Sequence, residues 1–143
     1  MNSLDRLEKL HKLIKLQEQD ILAEFKETQR VSLALRVQIE DLVYHSQSAS
    51  EKLMHQSIAM DQLNLVRSFN VKIEVVLEKL NIKLQENDTK LLKVAEKIKD
   101  IRSRIKSIER LIDRHQQRYN YQQQKYIQQQ IEENINYTSS SQD

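Results

Sequence analysis

Residues 77–126 read LEKLNIKLQENDTKLLKVAEKIKDIRSRIKSIERLIDRHQQRYNYQQQKY, and an apolar or aromatic residue returns at every seventh position. The series runs Leu77, Leu84, Leu91, Ile98, Ile105, Ile112, Tyr119, Tyr126 without a miss. A companion series holds Ile73, Leu80, Asn87, Val94, Ile101 and Ile108. Two interleaved seven-residue series offset by three and four are the pattern of a helix packed along a left-handed coiled-coil seam. Outward from this stretch, toward the N-terminus, a second set appears: Leu7, Ile14, Ile21, Thr28, Leu35, Leu42 and Ala49. Its companion positions hold Phe25, Ile39 and Leu53, but also His11, Glu18, Ser32 and Ser46. That first seam is less regular than the second.

Composition agrees with long helices. The 143 residues include no Gly, Pro, Cys or Trp. Gly and Pro are the usual helix breakers and turn formers, so their absence lets a chain run as helix almost end to end. Charged residues make up 31% and aromatics 5%, which suits a narrow buried stripe better than a thick core. Without cysteine there are no disulfides or thiolate sites. The longest apolar runs, such as Val75 to Leu77, are far short of the roughly 20 residues that span a bilayer. The opening MNSLDRLEKLHK carries acidic residues where a signal peptide would be apolar. A cytoplasmic location is expected.

Between Tyr44 and Asp61 the periodicity weakens and serines cluster at 46, 48, 50 and 57. Ser48 to Glu51 fits a capping box, and Ser57 fits a cap with Asp61 in the following turn. A fold-back near residue 56 would set Leu7 against Ile105, Ile14 against Ile98, Ile21 against Leu91 and Leu35 against Leu77, each pair totalling 112. The expected fold is therefore all-α, a long antiparallel two-helix coiled-coil hairpin with unequal arms. Helix one is expected over about 3–54, the bend within about 46–60 and helix two over about 59–135. Residues 1–137 then form the single hairpin domain, and 138–143 (TSSSQD) a disordered tail. At a rise of ~1.5 Å per residue the arms would measure roughly 78 and 115 Å, so helix two overhangs helix one.

Few residues suggest chemistry. His45 and His55 lack the i, i+4 spacing that presents two metal ligands on one helical face, and surface or seam positions suit the four histidines better. No nucleophile–base arrangement or phosphate-cradling loop is visible, and a two-helix fold offers no dry pocket. A non-enzymatic protein without cofactor or metal is expected. Asn87 interrupts an apolar seam, where a polar residue either fixes register or meets water. Lys90 to Arg118 carries ten basic residues against four acidic ones, either a solvated face with pairs such as Asp100 and Arg104 or a docking surface for an acidic partner. Nucleic acid is not expected, since aromatic interleaving is sparse and the net charge is only +2. Near the bend, Phe69 and Val76 fall off the main seam, as exposed partner-binding residues do.

The opening SLDRLEKL, Gln38 with Leu42 and nearby Tyr44, Phe69 with Ile73, and the terminal RHQQRYNYQQQKYIQQQ together resemble the FliJ-like stalk proteins of flagellar export and of virulence type III secretion. The likeness extends over nearly the whole chain. It implies a cytoplasmic stalk and chaperone escort, peripheral to the inner-membrane export apparatus through protein contacts alone. One end of such a protein enters the pore of the hexameric export ATPase, and the bent end reaches the FlhA-like export gate. Carried onto this chain, the resemblance makes Gln38, Leu42, Phe69 and Ile73 gate contacts. It places Arg102, Arg110, Arg114 and Arg118 on the ATPase side. A stalk of this kind is expected to be monomeric. The alternative expectation is a self-associating coiled-coil scaffold or tether, which would be a dimer or larger.

Overall fold

A computed structural model describes residues 2–55 and 59–141, with side chains over 2–52 and 59–139. Two helices account for the fold: α1, Ser3–His55, and α2, Met60–Ser141. They pack against each other as an antiparallel all-α hairpin whose arms are unequal, 53 and 82 residues. No interior Gly or Pro interrupts either arm, and the faces that do not pack mix polar and charged side chains with exposed apolar ones such as Leu16, Leu33 and Leu92.

The start of α1 is capped by Asn2, whose Oδ1 accepts the Leu4 N–H at 2.8 Å, with Asp5 in the first turn. Of the serines in the stretch expected to hold the bend, Ser46, Ser48 and Ser50 are helical. Ser50 Oγ donates to the Ser46 carbonyl at 3.0 Å, so Ser48 to Glu51 lie inside α1 rather than capping a new helix. The interruption falls between His55 and Met60, and the expected cap at Ser57 lies outside the described residues. In the first turn of α2, Gln62 and Leu63 donate to the Ala59 carbonyl. The other end of α2 also departs from expectation. Helix continues through Thr138 to Ser141, where disorder was expected, because no breaker stops it and Thr138 Oγ1 bonds the Asn134 carbonyl at 2.7 Å.

Two compact units divide the chain: Met1–Gln19 with Lys99–Asp143, and Asp20–Ile98. In the second of these, Ile73 and Val94 are buried from α2, and the α1 residues buried with them are polar, Thr28 and Ser32. In the first, Ile101, Ile105 and Ile108 form the buried line. Among the described residues the five buried apolar side chains all belong to the two seam series of α2.

The pairing register differs from the one expected. Asn87 bonds Ser32, a pair totalling 119, and the other bonded pairs between helices, such as Glu18 with Arg102 and Ser46 with Asn70, total 115 to 124. A slide of one heptad separates 119 from 112. Each seam residue again meets a seam residue after such a slide, so hydrophobic periodicity alone cannot choose. Polar residues choose. With a total of 112, Asn87 would stand level with Phe25, Ser32 with Leu80 and Thr28 with Leu84. At 119 the polar seam positions share one layer, and among the described residues no buried side-chain polar atom lacks a partner.

Candidate partner-binding surfaces

The polar layer sits in the Asp20–Ile98 unit and reaches from the seam to the surface. Asn87 Nδ2 donates to the Thr28 carbonyl at 2.8 Å and to Ser32 Oγ at 2.6 Å. Ser32 Oγ donates in turn to Asp88 Oδ1 at 2.8 Å, and Arg36 Nη2 donates to Asp88 Oδ2 at 3.3 Å. Asn87 was singled out in sequence, but its partners were not. Their signal is the coincidence of two polar seam positions on α1, Thr28 and Ser32, one turn apart.

The four residues that the resemblance makes gate contacts occupy this same unit. Gln38 is exposed and Leu42 half-buried on α1. On α2, Phe69 is 47% exposed whereas Ile73 is 5% exposed. Ile73 is thus a seam residue, and a partner could reach it only by parting the helices. In the observed register Leu42 stands level with Leu77 rather than near Asn70. Phe69 lies eight positions nearer the bend than Leu77, about 12 Å along α2. Gln38 and Phe69 present the most surface of the four.

The four arginines lie on α2 in the other unit, and all are exposed. Arg102 Nε is 3.5 Å from Glu18 Oε2, and nearby His11 Nε2 is 3.2 Å from Glu109 Oε1. Arg102 therefore has a carboxylate partner on α1. Among the described residues no ion pair holds Arg110, Arg114 or Arg118, which lead into the overhang. In the observed register Ser3, where α1 begins, stands level with position 116. From 116 to 139 every residue is exposed, including Tyr119, Tyr121, Tyr126, Ile127, Ile131 and Ile135.

α1 also carries an exposed run separate from its seam: Leu33 at 64%, Val37 at 48% and Tyr44 at 68%. Beside it Arg30 bonds Glu27 through Nη2 at 2.6 Å and Nε at 3.0 Å. The hydrogen bond from Arg30 holds the Glu27 carboxyl below the usual carboxylate range, and the same bond holds the guanidinium pKa up. Among the described residues no three His, Asp or Glu side chains gather as a metal-ligand group. Nor is any described helix long and apolar enough to cross a membrane.

No protein-family model, curated protein sequence or solved structure matches the chain.

Proposed function

We propose that this chain is a FliJ-like export stalk, a non-enzymatic cytoplasmic component of a flagellar or virulence type III secretion apparatus that binds the hexameric export ATPase, the export gate and export chaperones. The observation that carries the reading is the overhang. α2 continues past the start of α1 as a fully exposed helix, and Arg110, Arg114 and Arg118 stand at its root. A single helix is slim enough to enter the axis of a protein ring. Its basic root suits carboxylates at the mouth of such a pore. The exposed Gln38 and Phe69 suit a second, gate-side contact.

Co-purification with candidate export ATPase and gate subunits tests the reading, with ATP hydrolysis measured as the chain is titrated. The expected result is a complex with each subunit and faster hydrolysis in the presence of the chain. Absence of both binding and stimulation with the cognate subunits would sink the proposal. The second reading is a self-associating scaffold, favoured by the exposed Leu33, Val37 and Tyr44 on α1 and by Val71, Val75 and Ile82 on α2.

A further inference from the structure

We infer that the outer face of α1 between Lys26 and Tyr44 is a docking surface for a second copy of this chain, laid antiparallel. Lys26, Arg30, Leu33, Val37, Glu40 and Tyr44 follow one another at spacings of four, three, four, three and four. This is a second coiled-coil stripe, distinct from the seam that holds Thr28, Ser32 and Leu35 against α2. All six side chains are exposed, Tyr44 with His45 edge-on to its ring, and none of the described residues covers the stripe.

Charge order along the stripe identifies the occupant. Two cations come first, then two apolar residues, then Glu40 with Asp41 beside it, then an aromatic ring. A parallel copy would set cation on cation and carboxylate on carboxylate. An antiparallel copy, centred between Leu33 and Val37, reverses this order. Leu33 then meets Val37 of the second copy, Arg30 meets Glu40, and Lys26 meets the ring of Tyr44. Two-fold symmetry makes each contact twice. Lys26 over the Tyr44 ring is a cation–π arrangement. The bonds from Arg30 to Glu27 leave further guanidinium N–H groups for a second carboxylate. Only Leu33, Val37 and Tyr44 of each copy supply large apolar area, so the pair is weak and reversible, in the micromolar range. It leaves the overhang of α2 free, and it rests on the second reading above, self-association, rather than on the export reading.

Light scattering or sedimentation equilibrium on the intact chain should show the mass rising from 17.1 kDa toward twice that across micromolar concentrations. Association should weaken as salt is added. Arg30→Glu places carboxylates opposite each other in its own dimer, and Glu40→Arg does the same with guanidiniums. Each variant alone should associate about tenfold or more weakly, with helicity unchanged because both positions are exposed. A mixture of the two variants restores both attractive pairs and should associate like the unsubstituted chain. Leu33→Asp introduced into both members should abolish that rescue. A mass of 17.1 kDa at every concentration would overturn the inference. So would association that ignores both charge reversals, or single variants that fail to rescue each other.

Discussion

Asn87 meets α1 at two points with one amide group: a backbone carbonyl at Thr28 and a hydroxyl at Ser32. Moving α1 by seven residues would return the apolar seams to alignment but set Phe25 where the Ser32 hydroxyl now meets Asn87, leaving that amide at most a backbone carbonyl. An unsatisfied polar group in a seam costs about 1–3 kcal/mol, so this one residue supplies much of the preference for the observed register. A cysteine-free chain allows a direct test. With Leu35→Cys and Leu84→Cys, which stand level, a disulfide should form readily. With Leu35→Cys and Leu77→Cys, one heptad away, it should form poorly. Asn87→Leu removes the polar penalty for sliding, so the second disulfide should become competitive with the first. Its stability should fall by no more than about 1 kcal/mol, since a buried leucine offsets the lost bonds. An unchanged cross-linking ratio would deny Asn87 the register role. The odd residue in the seam was visible from sequence. Its effect was not, because polar partners on a distant segment are chosen only once the two helices are aligned.

At the scale of the helices, sequence and structure agree where the period is the signal. The series through Ile73, Val94, Ile101, Ile105 and Ile108 was readable from seven-residue spacing alone, and these are the residues α2 buries. The ends were less readable. Ser48 to Glu51 has the residue types of a capping box, yet a serine hydroxyl can bond the carbonyl four residues back and remain within a helix, as Ser50 does. The same bonding at Thr138 keeps α2 helical in a segment whose composition suggests disorder. Two neighbouring substitutions separate seam from surface. Val94 is 1% exposed, and Val94→Ala should cost about 1–3 kcal/mol in urea unfolding through lost burial and an incompletely filled space. Leu92, two residues earlier, is exposed, and Leu92→Ala should change stability by less than about 0.5 kcal/mol. Equal costs at the two sites would mean that Leu92 is covered in solution, and would indicate an additional packed helix over α2.

For the whole molecule, the hairpin was legible because both seams must be covered and one fold-back covers them. The inequality of the arms followed from where the seam weakens. What sequence left open is which partners meet the exposed surfaces, because exposure and charge define a chemistry rather than a molecule. The basic residues at the root of the overhang give the sharpest test of the proposed stalk. Arg110, Arg114 and Arg118 recur every four residues, are exposed, and are separate from the buried Ile101, Ile105 and Ile108. Reversing all three to Glu should therefore leave the melting temperature nearly unchanged, since exposed substitutions away from packed features shift stability by about 0.5 kcal/mol or less each. Against a ring whose pore mouth is acidic, the same change replaces attraction with repulsion at three positions and should abolish stimulation of the export ATPase. Arg102 is a poor choice for the same test, because its loss would also remove the contact with Glu18. Binding to the gate should survive the triple reversal, since Gln38 and Phe69 belong to the Asp20–Ile98 unit and none of the substituted residues does. Stimulation by the unsubstituted chain should also fall as salt rises, because exposed charges are screened beyond about 8 Å at physiological ionic strength. If the reversed chain stimulates hydrolysis as well as the original, the arginines are a solvated face, and any entry of α2 into a ring depends on Tyr119, Tyr126 and the isoleucines beyond them.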